Sequence, residues 1–309
     1  MRILRLILIF LLIGLPSTSW ADIDPGDLPS TSKWYFHANF EEMRSTEGGL
    51  QLYAWLQDEA FEDIREDVGI DFDKEVDQIT GYAASEDGLV IVIEGDISQS
   101  TKDKILGMGA ATGNLDKLGS GDATYFFVKG DRHSDDDYDS DDHSDLDSLE
   151  NGAYFSFAIP DRIIVTTTET MLKTLLATKG KIPGDKGQSG ALVVLSADRN
   201  LVQAGMSTDD FQDHLGWNSN IIGNTEQVAL LIADEGGKIM IEAQLVTAEK
   251  EMAESLASIV RGLISLQIFN DDMDPEIAEF LQNTSVRVDG TKLTIKVLLD
   301  PESVIAALD

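Results

Sequence analysis

Two stretches of the chain decide its fold: VDQITGYAASEDGLVIVIEGDIS at residues 76–98 and TEQVALLIADEGGKIMIEAQLVT at residues 225–247. Near its start each has an acidic residue, a Gln and a β-branched residue in a row, and each places an acidic-Gly turn between two apolar runs. Two apolar runs around such a turn are typical of a β-hairpin. We therefore predict two related hairpins.

The segments next to the two hairpins correspond as well. A strand is predicted before each hairpin, at residues 33–40 and 190–199, and a helix after each, at residues 98–109 and 247–267. In the first helix, Ser100 and Asp103 approximate a capping box. The second helix has apolar residues spaced to share one face: Met252, Leu256, Ile259 and Leu263.

A third pair of segments completes the correspondence. Residues 153–176 and 285–308 each predict a strand, a tight turn, a strand and a short helix. The sequence therefore predicts an α+β fold made by tandem duplication of a β-α-β-β-α-β-β-α unit. In each unit an antiparallel sheet is expected to be packed on one side by helices.

The predicted boundaries follow from this alignment. Residues 1–21 are interpreted as a signal peptide, 22–180 as the first repeat, 181–190 as a linker rich in Gly and Lys, and 191–309 as the second repeat. The first repeat carries an acidic insertion at residues 131–150, which has no counterpart in the second.

Part of the first repeat resembles a known group of proteins. The strand, Asp-Arg turn, strand and TTTETMLKTLL run within residues 153–176 resemble uncharacterised exported bacterial repeat proteins with an α+β unit. The resemblance implies a fold and no activity.

The beginning of the chain predicts export. Arg2 and Arg5 precede an apolar run of ten residues at 6–15, and small residues precede a predicted cut after Ala21. The run is half the length that a membrane span needs, about 20 residues. With no cysteine in the chain, disulfides and thiolate metal sites are excluded. We expect a periplasmic or secreted bacterial protein without membrane insertion after cleavage.

The charge of the chain limits the class of partner. The chain has 56 acidic residues against 23 Lys and Arg, a formal net charge of −33. Nucleic-acid binding depends on Lys and Arg that neutralise phosphates, so a nucleic-acid partner is not expected. An unidentified envelope protein or a small ligand is expected instead.

The acidic insertion is the predicted cation site. Its candidate ligands are Asp139, Asp141, His143, Asp145, Asp147 and Glu150, with His133, Asp135 and Asp137. The first six have EF-hand spacing, but Ser144 occupies the position that needs Gly. Weak binding of Ca²⁺ or, through the imidazoles, Zn²⁺ is one interpretation. A solvated loop and a docking surface for a basic partner are the alternatives.

We find no catalytic motif in the sequence that would assign an enzymatic activity. The chain lacks the G-x-S-x-G and H-E-x-x-H motifs. We therefore predict a non-catalytic binding or scaffolding protein of the bacterial envelope. One alternative is a hydrolase that pairs Asp with His37 or His214, although His37 is predicted to be a half-exposed strand residue. Another is a chaperone or inhibitor whose acidic loop engages basic partners.

Overall fold

The computed structural model describes residues 32–84, 88–130, 152–182, 190–201, 225–268 and 280–308. The described strands are β1 (Ser32–Asn39), β2 (Gln78–Ala84), β3 (Gly88–Glu94), β4 (Leu115–Leu118), β5 (Tyr125–Val128), β6 (Ala153–Ser156), β7 (Arg162–Thr166), β8 (Ala191–Asp198), β9 (Thr225–Glu235), β10 (Lys238–Thr247), β11 (Thr284–Asp289) and β12 (Lys292–Leu299). The principal helices are α1 (Phe40–Ser45), α2 (Glu47–Leu56), α3 (Glu62–Asp67), α4 (Phe72–Glu75), α5 (Gln99–Ala111), α6 (Glu169–Ala177), α7 (Lys250–Ile268) and α8 (Pro301–Leu308).

The chain divides into two compact units. The first unit comprises the described residues within 32–41 and 56–182, and the second unit those within 42–55 and 190–308. Helix α2 thus belongs to the second unit although it follows β1 in the chain. The predicted linker at 181–190 falls mostly outside the described residues.

The first unit contains an antiparallel sheet in the order β1-β2-β3-β7-β6-β5-β4. The predicted hairpin of residues 76–98 is confirmed as β2 and β3, with Gln78 opposite Glu94 and Ala84 opposite Gly88. On β3, Leu89, Val90 and Val92 are buried, as expected for a strand inside a sheet.

The second unit contains an antiparallel sheet in the order β8-β9-β10-β12-β11. The second predicted hairpin is confirmed as β9 and β10, with Glu235 opposite Lys238 at the turn. The predicted α+β class with antiparallel sheets is therefore confirmed. The order matches β1-β2-β3-β7-β6 of the first unit, whereas common descent of the two units stays a prediction.

Helix α7 forms the core of the second unit with one face of its sheet. The buried cluster consists of Leu256, Ala257, Val260, Ile264, Leu281, Leu293 and Ile295. Two residues of the predicted stripe lie elsewhere, since Ile259 is 49% and Leu263 is 36% exposed. The spacing predicted a shared helical face without saying which face packs on the sheet, and the buried face is the one with Ala257 and Val260.

The amino-terminal cap of α5 differs from the capping box that the sequence suggested at Ser100 and Asp103. The cap of α5 is Ser98, whose hydroxyl accepts a hydrogen bond from the Thr101 amide at 3.1 Å, so the helix begins earlier than Ser100 suggested. Strands β5 and β6 flank the acidic insertion and pair with Val128 opposite Ala153. The insertion itself lies outside the described residues.

Candidate functional site

All nine predicted metal ligands lie outside the described residues, because they fall within 131–151. These are His133, Asp135, Asp137, Asp139, Asp141, His143, Asp145, Asp147 and Glu150. The predicted signal peptide at 1–21 and His214 also lie outside them. Calcium or zinc binding by the insertion and export of the chain therefore stay predictions.

His37 lies within the described residues and is buried, so its predicted half-exposure was wrong. Its Nδ1 lies 2.9 Å from the Thr80 hydroxyl on the neighbouring strand. Tyr35, on the same face of β1, is buried as well. The face of β1 that carries Tyr35 and His37 is therefore buried, although the alternation of apolar and polar residues predicted that it would be exposed to solvent.

Within the described ranges, no group of three or more His, Asp or Glu residues is placed to hold a metal ion. None of the described helices is both long and apolar enough to cross a membrane.

The first unit contains a cleft with a volume of about 220 Å³, which we call the acidic cleft. Its lining consists of Gln57, Asp58, Phe61, Glu62, Arg65, Asp71, Phe72 and Asp73. Four carboxylates and one guanidinium give this lining a formal net charge of −3. Pockets for drug-sized ligands have about 300–1,000 Å³, so the cleft has room for a single side chain or a small cation.

One wall of the acidic cleft begins in a π-helical turn at Gln57–Phe61. The Glu62 amide donates a hydrogen bond to the Gln57 carbonyl, five residues earlier, and the helix then continues as α3. Such turns are uncommon inside helices and are frequent at functional sites. The extra residue in this turn brings Asp58, Phe61 and Glu62 to the cleft together.

The floor of the acidic cleft is aromatic. The rings of Phe61 and Phe72 are stacked, with centroids 4.2 Å apart and planes at 10°. Phe40 packs its edge against both, at 5.2 Å from Phe61 and 5.6 Å from Phe72. Since all three rings are buried, they hold the π-helical turn against α4 and give the carboxylates a rigid apolar base.

Most carboxylates at the rim of the cleft have a partner. The Gln57 side-chain amide donates to Asp73 at 2.7 Å, and an Arg65 N–H donates to Glu62 at 2.9 Å. Asp58 differs, because its carboxylate forms no hydrogen bond or ion pair with any residue that the structure describes. An entering cation would therefore meet the Asp58 carboxylate without displacing a described partner.

Asp71 lies on the wall of the cleft opposite the π-helical turn. Its carboxyl group is stabilised in the ionised form. One of its oxygens caps α4 by accepting from the Asp73 amide at 3.2 Å, and the other lies 2.6 Å from the Lys74 ammonium. The hydrogen bond from Lys74 is the main cause that lowers the pKa of Asp71, against a smaller opposing effect of burial. The same contact raises the pKa of Lys74.

This arrangement suits the binding of a positive charge. A general acid needs a carboxyl group with a raised pKa, whereas the pKa of Asp71 is lowered. The lining includes no Ser, Thr, His or Lys, and the side chains in it that can act as nucleophiles are the four carboxylates.

Sequence reasoning did not single out the residues of the cleft. Aspartate and glutamate occur throughout this chain, so their presence at 57–73 carried no signal. The available hint was the spacing of Phe61 and Phe72 within an acidic run. The π-helical turn that unites them is set by packing and leaves no pattern in the sequence.

No protein-family model and no curated protein sequence matches the chain. Three solved structures similar to it are crystal forms III, I and IV of TP0453, with TM-scores of 0.49, 0.48 and 0.47 and sequence identities of 10%, 10% and 12%. These matches cover 94%, 93% and 93% of this chain and 99%, 97% and 97% of the TP0453 chains.

Proposed function

We propose that this chain is an exported, non-catalytic binding protein of the bacterial envelope that captures a positively charged side chain of a basic partner protein in the acidic cleft. The observation that carries the proposal is the carboxylate of Asp58, which no described residue engages, beside an aromatic floor. Export rests on the amino-terminal sequence pattern alone.

The size of the cleft supports a side chain as the ligand. A volume of about 220 Å³ is below the usual range for drug-sized ligands. A guanidinium or ammonium group at the end of an alkyl stem would place its charge near Asp58 and its stem over Phe61 and Phe72. Such amphipathic side chains bury their stems along apolar surface and keep the charge hydrated.

The charge of the whole chain supports a basic partner protein. A formal net charge of −33 attracts cationic proteins over distances near the Debye length, about 10 Å at 0.1 M salt, and raises their association rates. The overall charge would attract the partner, and the cleft would select which basic side chain docks.

The proposal is tested by NMR titration of the full mature chain with N-acetyl-arginine amide. The matched control ligand is N-acetyl-citrulline amide, which has nearly the same shape and no charge. We expect the arginine compound to shift the amide signals of residues 57–73 and the citrulline compound to leave them nearly unchanged. Binding of one side chain in water is expected near the millimolar range, about −4 kcal/mol.

The matched variants are Asp58→Asn and Asp289→Asn. Both remove one negative charge, but Asp289 lies at the β11–β12 turn of the second unit, where it is exposed. We expect Asp58→Asn to weaken arginine binding about two- to fivefold, the range for an exposed ion pair. Equal weakening by both variants, or equal binding of the citrulline compound, would show that general charge attraction accounts for the effect.

A further inference from the structure

Glu75 is a buried carboxylate next to the acidic cleft that does not line it. Its side chain is buried, with the residue 7% exposed, and it accepts hydrogen bonds from two segments. The Asp71 amide donates to Oε2 at 3.1 Å, and the Ser98 amide donates to Oε1 at 3.0 Å. The Thr101 hydroxyl lies 2.8 Å from both oxygens.

These bonds join α4, whose first residues line the cleft, to the first turn of α5. Thr101 is held in turn by Ser98, since their hydroxyl oxygens lie 3.0 Å apart. The backbone adds to the same junction, because a Cβ at Gly95 would collide with the Glu75 carbonyl oxygen. The close approach of the β3–α5 connection to α4 therefore requires glycine at this position.

The carboxylate is stabilised in its charged form. Burial acts to raise the pKa of Glu75, but the hydrogen bonds from Ser98, Asp71 and Thr101 outweigh it, and the net pKa is lowered. An anion that accepts several hydrogen bonds at the start of α5 is also favoured by the helix dipole.

The geometry points to Glu75 as the positioning residue of the acidic cleft: by tying Asp71 to the amino terminus of α5, it sets the distance between the α4 wall and the π-helical wall. This inference rests on the proposed function for the cleft. Glu75 touches no ligand and acts through the backbone of Asp71, which both lines the cleft and caps α4.

The substitution Glu75→Gln changes the charge and the hydrogen-bonding groups of the side chain without changing its size. Glutamine keeps the shape and can still accept from Ser98 or Thr101 through its single oxygen. With one oxygen in place of two, glutamine cannot accept from both the Asp71 amide and the Ser98 amide, so its NH₂ group faces one of these two donors. In either orientation the bridge between the Asp71 amide and the Ser98 amide is broken, while the hydroxyl of Thr101 stays within reach of the side chain.

The test compares Glu75→Gln with Glu242→Gln in the full chain. Glu242 is 2% exposed, belongs to the second unit, accepts from the Gln244 side-chain amide at 2.9 Å and lies 3.7 Å from the Lys296 ammonium. Both variants therefore remove a buried negative charge. At 25 °C we measure amide hydrogen exchange at Asp71–Asp73 and the affinity for N-acetyl-arginine amide.

For Glu75→Gln we expect exchange at Asp71–Asp73 to be faster by about tenfold, as for the loss of a hydrogen bond to a charged group, and arginine binding to be weaker by about threefold. Glu242→Gln should leave both unchanged. If Glu75→Gln does not fold, Thr101→Val removes one donor without changing the charge, and smaller changes in the same direction are expected.

The outcomes distinguish the two proposals. If wild type does not bind the arginine compound, the proposed function fails, while the exchange at Asp71–Asp73 still decides whether Glu75 positions this wall. If wild type binds and Glu75→Gln binds equally well, the positioning role is overturned. Equal acceleration of exchange in both variants would mean that Glu75 contributes only to general stability.

Discussion

The aromatic floor of the acidic cleft allows a quantitative prediction. Phe72→Leu keeps an apolar side chain at a position that is 7% exposed and removes two ring contacts. One is the stack with Phe61 at 4.2 Å, and the other is the edge contact with Phe40 at 5.6 Å. Aromatic pairs contribute about 0.5–1.5 kcal/mol each beyond the area they bury.

We therefore expect Phe72→Leu to lower the free energy of unfolding by about 1–3 kcal/mol, the sum for two such pairs. The assay is equilibrium urea unfolding at pH 7, in which stability changes appear as a shift of the midpoint. A double-mutant cycle with Phe61→Leu isolates the stacked pair, for which a coupling energy of about 0.5–1.5 kcal/mol is expected.

A coupling energy near zero would show that the two rings are held by their surroundings and not by each other. A loss of less than about 0.5 kcal/mol for Phe72→Leu, the size of an ordinary surface substitution, would mean that the floor is not part of the stable core. In either case the carboxylates would lack the rigid base assumed for ligand binding.

Two further predictions concern pH and the acidic insertion. Because the folded state lowers the pKa of Glu75 below its ordinary 4.5, its stabilising effect should be complete above pH 4.5 and disappear as the pH falls through the folded pKa. The stability difference between wild type and Glu75→Gln, measured by urea unfolding at several pH values, should therefore shrink in acid; a difference independent of pH would contradict this. Deletion of residues 131–150 should leave Lys129, Gly130, Asn151 and Gly152 as a four-residue connection between β5 and β6, a length common in hairpins. Calorimetric titration with Ca²⁺ and Zn²⁺ should then give smaller heats than wild type, and equal heats would exclude the insertion as the cation site.

Apolar runs on either side of acidic-Gly turns made the two hairpins predictable. The apolar residues and the acidic-Gly turn predicted β2 and β3, and the same two features predicted β9 and β10; the structure confirms both hairpins. Strand β4 was missed because Leu115–Leu118 is four residues long and half of it is charged. So short a segment forms a strand because β5 offers it hydrogen-bonding groups, and this neighbour is not visible in the local sequence.

The packing of α7 shows a second limit of sequence reasoning. Helical spacing identifies an apolar face, but α7 carries two overlapping apolar rows. Leu256 belongs to both, while Val260 and not Ile259 faces the sheet. The choice depends on how closely the backbone can approach β12, and small residues such as Ala257 decide it. The spacing of apolar residues predicts that the helix forms, but it does not predict which face of the helix packs against the sheet.

The acidic cleft could not be predicted for a related reason. In a chain with 56 acidic residues, an acidic residue at any position is uninformative, and the insertion attracted attention because its carboxylates are adjacent in sequence. What distinguishes the cleft is the pattern of partners: Asp71 pairs with Lys74, Glu62 with Arg65, and Asp58 with no described residue. A carboxylate that has a partner contributes little to ligand binding, because the incoming cation must first replace that partner. For the proposed cationic ligand, the carboxylate expected to matter is therefore the one that no described residue engages, and the tertiary structure is needed to identify it.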